Sequence, residues 1–68
     1  MFICYDNCLF NSDNVSFMRV TERDVTIGLT GENHLLKYAN KDLAKKAFSK
    51  ICVAITQNST IVDISESK

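Results

Sequence analysis

The residues with the greatest chemical potential in this chain are three cysteines and a single histidine. Cys4, Cys8, Cys52 and His34 supply the donor types of a Cys₃His zinc site. Their spacing does not match a zinc motif, because three residues separate Cys4 from Cys8 across a predicted turn. A free cysteine is commonly a small buried apolar residue. We therefore predict that the cysteines are buried and structural, and we predict no metal ion and no cofactor.

Few side chains are placed where they could act as catalysts. A nucleophilic thiol requires an adjacent base, and His34 is the only histidine in the sequence. Neither Gly28 nor Gly31 belongs to a phosphate-binding loop. Glu22 and Asp24 fall in one predicted polar turn, where we expect both carboxylates to be solvated. No catalytic residue is assigned, and we predict that the chain is not an enzyme.

A set of lysines is the strongest electrostatic feature. The predicted helix carries four of them, which we place on one side: Lys41, Lys45, Lys46 and Lys50. One interpretation is a solvated helix face, partly neutralised because Asp42 precedes Lys46 by four residues. The other is a contact with nucleic acid, a nucleotide phosphate or an acidic partner. Eight basic and eight acidic residues give zero net charge, which disfavours nucleic acid because phosphate neutralisation supplies most of such affinity.

Length and composition are those of one small domain, which we assign to residues 1–68. A chain of 68 residues buries only about 60% of the surface that it exposes when unfolded, so we expect marginal stability. No stretch approaches the roughly 18 apolar residues that a membrane span requires. The first residues also lack the basic region of a signal peptide, which predicts a cytoplasmic location.

The spacing of apolar residues changes along the chain. It has mostly period two from Phe2 to Tyr38, helical spacing from Lys41 to Gln57, and a strand-like pattern from Ser59 to Ile64. This predicts an α+β fold, with a small antiparallel β-meander of four to five strands, each beside its sequence neighbour. One amphipathic helix packs on one face, and a short C-terminal strand adds to a sheet edge. Asp6-Asn7 is predicted to form a two-residue turn, and Asn40 to cap the helix.

Apolar residues occupy both faces of the predicted strands. In the third strand, Val15 and Phe17 are assigned to one face, and Met18 and Val20 to the other. A single helix covers only one face of a sheet, so part of the second set would remain in water. Contiguous exposed apolar area of this kind marks an interface, whereas the alternative is a curved sheet that closes on its own second face. We favour the interface, because so short a chain lacks core area.

These observations lead to a hypothesis about function. The interface is assigned to aromatic and methionine side chains, which are enriched at interface centres: Tyr5, Phe17, Met18 and Tyr38. We expect a non-enzymatic protein-interaction module of the inhibitor or adaptor type, of the kind that phages and other mobile elements carry. It would form a homo-oligomer through an uncovered sheet face or edge and bind a protein partner. The alternative is a binder of a phosphate-bearing ligand, which would use the lysine row with Arg19 or Arg23.

Overall fold

The computed structural model describes residues 1–66 and confirms the predicted α+β class. An antiparallel meander, a second sheet and one packed helix account for the regular structure of this range. The strands are β1 (Phe2–Tyr5), β2 (Cys8–Asn11), β3 (Val15–Thr21), β4 (Asp24–Leu29), β5 (Glu32–Lys37) and β6 (Ile61–Asp63), and the helix is α1 (Lys41–Thr56). The two-residue turn at Asp6-Asn7 forms as predicted, with a positive φ of 51° at Asp6.

The strands divide into two three-stranded sheets, in the orders β2-β1-β6 and β3-β4-β5. The predicted meander is therefore interrupted between β2 and β3, which are not paired. A 3₁₀ turn at Ser12–Asn14 separates these strands, and the side-chain oxygen of Asn11 accepts a hydrogen bond from the N–H of Asp13 at 3.0 Å. β6 lies parallel to β1 at the edge of its sheet. The prediction of a C-terminal edge strand is thus confirmed.

A β-bulge changes which side chains of β3 share a face. Val15 pairs with Leu29, but Phe17 pairs with Gly28, so β3 advances two residues while β4 advances one. Ser16 is the extra residue, and Val15 and Phe17 consequently lie on opposite faces. The assignment of Val15 and Phe17 to one face was wrong, because strict alternation assumes an uninterrupted ladder.

Helix α1 begins where the sequence predicts. The side chain of Asn40 accepts a hydrogen bond from the N–H of Leu43 at 2.9 Å, which confirms Asn40 as the N-cap. The residues buried on the helix are mostly small, so its backbone packs close to the sheets: Ala44, Ala47, Ile51 and Ala54. Not every apolar residue of the helix is buried, since Cys52 and Ile55 are exposed. A helix at a sheet buries only the side chains that face the sheet directly.

One hydrophobic core joins the inner faces of both sheets to α1. Its buried members are Ile3, Phe10, Val25, Ile27, Leu36, Tyr38, Ala44, Ala47, Ile51 and Ile64. The segment after β6 closes this core, because the N–H of Ile64 donates to the carbonyl of Cys4 at 2.8 Å. Full burial of an isoleucine side chain such as that of Ile64 stabilises the fold by about 1.5–3 kcal/mol. The outer faces of both sheets are left without a covering element among residues 1–66.

Candidate functional site

The cysteines do not lie where the sequence predicted. Cys4 is half-buried, and Cys8 and Cys52 are exposed, so the prediction of three buried structural cysteines was wrong. Cys4 and Cys8 lie in paired strands but at adjacent register positions, which puts their side chains on opposite faces. His34 instead contacts Glu32, with 3.2 Å between Nε2 and Oε1, and its ring is in a T-shaped arrangement with the ring of Phe10. Within residues 1–66, no group of three histidine, cysteine or acidic side chains is arranged to hold a metal ion.

Two of the predicted interface residues serve the fold itself. Tyr38 is buried, and its hydroxyl donates a hydrogen bond to the carbonyl of Ile64 at 2.7 Å. The hydroxyl of Tyr5 donates to the carbonyl of Lys37 at 2.7 Å, and the two tyrosine rings meet edge to face at 5.6 Å. Burial raises the pKa of Tyr38, and to a smaller extent that of Tyr5. The placement of Tyr38 on an uncovered face is therefore corrected, because the segment after β6 covers it.

The other two predicted interface residues are neighbours on β3 with different environments. Met18 is half-buried and packs against the core on the inner face of its sheet. Phe17 is 43% exposed on the outer face, where its ring lies over Gly28. The guanidinium carbon of Arg19 is 5.9 Å from the centre of that ring, a distance typical of a cation–π contact. Phe17 is the predicted residue whose side chain is both large and available to a partner.

Exposed apolar side chains are spread over both sheets and two different sides of α1. The residues concerned, between 43% and 61% exposed, are Phe2, Leu9, Phe17, Leu35, Val53, Ile55 and Ile61. Phe17 and Leu35 share the outer face of the β3-β4-β5 sheet, whereas Phe2, Leu9 and Ile61 share the outer face of the other sheet. The prediction of uncovered apolar residues on the strands thus agrees with the structure. No single face contains all of these exposed apolar residues.

The free edge of β3 carries unpaired backbone groups. The N–H of Tyr38 donates to the carbonyl of Arg23 at 2.8 Å, so odd-numbered residues of β4 bond to β5 and even-numbered ones bond to β3. On β3, the residues that bond to β4 are then Phe17, Arg19 and Thr21. The N–H and C=O groups of Met18 and Val20 consequently point away from the sheet.

The edge of β5 at the other side of this sheet is better protected. Glu32 and Lys37 place a charge at each end of the strand, and charges of this kind discourage further pairing. The outward-pointing carbonyl of Lys37 already accepts the hydroxyl of Tyr5. β3 has seven residues and Arg19 as its one charged side chain. It is the more open of the two edges.

The four lysines of α1 form two pairs on the helix surface. All four side chains are exposed, but successive residues of an α-helix are rotated by about 100°. Lys46 and Lys50 share one flank and line a groove between α1 and β6. Lys41 and Lys45 lie roughly 100–180° around the helix from that pair. All four lie on the solvent-exposed half of the helix, opposite the buried residues, but the 100° step from Lys45 to Lys46 separates them into two pairs.

A groove runs between α1 and β6 on the flank of the helix that carries Lys46 and Lys50. It has a volume of about 380 Å³, and its walls combine Lys46 and Lys50 with Val53, Ile61 and Val62. A second hollow of about 280 Å³ continues from the same lysines toward Ser65. The sequence did not indicate this groove, since β6 comes next to α1 only through its parallel pairing with β1.

The chain matches no protein-family model, no curated protein and no solved structure. No helix within residues 1–66 has the length and apolar character to cross a membrane. The interpretation of function therefore depends on the surfaces described above.

Proposed function

We propose that this chain is a small non-enzymatic protein-interaction module that self-associates through the free edge of β3. A second copy would add its own β3 in antiparallel orientation, so that the β3-β4-β5 sheets of the two copies become one continuous sheet. The observation that carries the proposal is the seven-residue edge strand whose outward N–H and C=O groups, at Met18 and Val20, have no backbone partner in the described chain. Such an edge is a template for pairing with another strand.

The side chains of β3 favour one register. Met18 is the midpoint of Val15–Thr21, so a two-fold axis at Met18 pairs the whole strand with its copy. In that register Phe17 lies opposite Arg19 of the second copy, and a cation–π contact joins the two strands. An axis at Arg19 would place two positive charges directly opposite each other, which is unfavourable.

Apolar surface beside the edge supports the same contact. Ile55 of α1 is 54% exposed and lines a groove of about 200 Å³ together with Val15 and Met18. A second copy at the edge would cover this groove and remove Ile55 from water. A short chain gains proportionally more from such burial than a large one, because its own core is small.

The proposal is tested by analytical ultracentrifugation across a micromolar concentration series. We expect a dimer for the natural sequence and a monomer for Phe17→Lys, which removes the aromatic contact to Arg19 and places two positive charges opposite each other across the interface. Leu35→Lys is the matched control, because Leu35 is also an exposed apolar residue and lies on the same face, at the opposite edge strand. It should remain a dimer.

Other outcomes would contradict edge pairing. A monomer at every concentration would exclude self-association, and equal loss of the dimer in the Phe17→Lys and Leu35→Lys variants would indicate the sheet face instead of the edge. Arg19→Glu is a second variant that should be monomeric, because it removes the cation–π contact between the two copies. Arg19 is exposed, so its replacement leaves the core intact. The inhibitor or adaptor role proposed from the sequence requires a further surface for a protein partner. Phosphate binding by four lysines receives less support, because the helix divides them.

A further inference from the structure

The groove between α1 and β6 has a free strand edge as one wall. The N–H of Phe2 donates to the carbonyl of Thr60 at 2.9 Å, and that of Ile64 to the carbonyl of Cys4 at 2.8 Å. Alternate residues of a parallel strand bond to the same neighbour, so Thr60, Val62 and Ile64 face β1. The backbone groups of Ile61 and Asp63 therefore point away from β1. No strand of residues 1–66 pairs with this side of β6.

The opposite wall of the groove is the flank of α1. Its surface is apolar at Val53, which is 52% exposed, and becomes positive at Lys50 and Lys46. Val62 of β6, which is half-buried on the inner face beside Ile3, continues the apolar end across the floor. A ligand in this groove would meet backbone hydrogen-bonding groups along one side, apolar surface at one end and two ammonium groups at the other.

Acidic groups on the protein only partly neutralise the positive end. Asp63 accepts a hydrogen bond from the N–H of Ser65 at 2.9 Å, and its register with Cys4 places its side chain on the outer face of the sheet. The hydrogen bonds from Ser65, and to a lesser degree the charge of Lys50, lower the pKa of Asp63. Glu66, in the adjoining hollow, accepts a hydrogen bond from the N–H of Ala39 at 2.6 Å. Lys46 has no ion-pair partner among residues 1–66.

We propose that this groove binds an extended peptide segment of a protein partner, which adds as a strand to β6 and carries an apolar residue two positions from a carboxylate. The spacing follows from geometry. Lys50 and Lys46 lie about 4.5 and 10.5 Å along the helix axis from Val53 at 1.5 Å per residue. Two residues of an extended strand span roughly 6.6 Å and return to the same face. An apolar side chain packed on Val53 and Val62 thus places the carboxylate between the two lysines.

The backbone of the bound segment makes the second part of the contact. The outward N–H and C=O groups of Ile61 and Asp63 are positioned to pair with it, as in other complexes formed by strand addition. β6 itself has only three residues, so the backbone bonds alone are few. The charged and apolar contacts on α1 therefore determine which segment binds.

The test uses fluorescein-labelled heptapeptides rich in threonine and valine, with leucine, isoleucine or phenylalanine two positions before glutamate. Fluorescence anisotropy should show saturable binding, and replacement of the glutamate by glutamine should weaken it about tenfold through loss of the charge-assisted contacts. In ¹⁵N-labelled protein, the amide resonances of Ile61 and Asp63 should shift on titration.

A charge-matched pair of variants locates the site. Lys46→Glu/Lys50→Glu should abolish peptide binding, whereas Lys41→Glu/Lys45→Glu makes the same change of charge on the other flank and should bind as the natural sequence does. Lys46→Gln/Lys50→Gln removes the positive charge without reversing it and serves if the first variant does not fold.

Three results would overturn the inference. They are absence of binding for every peptide of the panel, equal loss of binding in both double variants, and binding without shifts at Ile61 and Asp63. Saturable binding of a short oligothymidylate that outcompetes the peptides would assign the groove to phosphate ligands instead. None of these results depends on whether β3 forms a dimer, so the two proposals fail separately.

Discussion

The ring of Phe17 on β3 lies directly over Gly28, its cross-strand partner on β4. A Cβ atom at Gly28 would overlap the Cε1 and Cδ1 atoms of that ring, so the close contact requires glycine. The ring in turn shields a glycine that would otherwise weaken the strand by exposing its backbone. This pair holds Phe17 in place at the edge where we propose that a second copy binds.

The first prediction concerns this pair. Gly28→Ala should lower the free energy of unfolding by about 1–3 kcal/mol, because the new methyl group displaces the Phe17 ring. In a Phe17→Ala background the same substitution should cost much less or become favourable, since the obstacle is gone and alanine suits a strand better than glycine. Urea denaturation of the four proteins gives the coupling energy. Equal costs in both backgrounds would show that the ring does not restrict Gly28.

The second prediction concerns the register of self-association. In a protein with its three cysteines replaced by serine, Met18→Cys should form a disulfide-linked dimer under mild oxidation. A two-fold axis at Met18 brings the two Cα atoms to about 5.5 Å, within the range that a disulfide spans. Non-reducing electrophoresis at low protein concentration measures the product.

The matched control for this crosslink is Leu35→Cys, an exposed position on the opposite edge strand. It should crosslink only at the slow rate of random collision. Similar rates of disulfide formation in the Met18→Cys and Leu35→Cys variants would contradict a two-fold axis at Met18. Faster disulfide formation through Arg19→Cys than through Met18→Cys would also contradict it.

The third prediction concerns the pH dependence of stability. Burial raises the pKa of Tyr38, so the folded state retains its phenolic proton where the unfolded state has released it. Stability from this group is therefore complete below the unfolded pKa of about 10 and is lost as the pH rises above that value. The free energy of unfolding should therefore fall as the pH rises above about 10.

Tyr38→Phe separates this effect from the other groups that titrate in the same range. It removes the hydrogen bond to the carbonyl of Ile64 and should cost about 1–2 kcal/mol at neutral pH. The alkaline loss of stability should be smaller in this variant than in the natural sequence. Tyr5, whose pKa is also raised by burial, accounts for part of the loss that remains. An unchanged alkaline slope would show that Tyr38 is not the principal group.

Local features of the fold could be predicted from the sequence because short-range physics determines them. The cap at Asn40 depends on a side-chain oxygen three residues before an N–H group, and the turn at Asp6-Asn7 depends on residues that tolerate positive φ. The start of α1 and the existence of five strands and a C-terminal strand follow from periodicity. In each case the determining atoms lie within a few residues of one another.

Only the tertiary structure decided which residues are available to a partner. The bulge at Ser16 moved Val15 and Phe17 to opposite faces, and the segment ending at Ile64 buried Tyr38, although neither event is visible in apolar spacing. The groove beside Lys46 exists because β6 pairs with β1, nearly sixty residues earlier in the chain. Periodicity tells which residues of one element share a face. Which faces and edges stay open depends on contacts between elements distant in sequence, and those contacts form only when the chain folds.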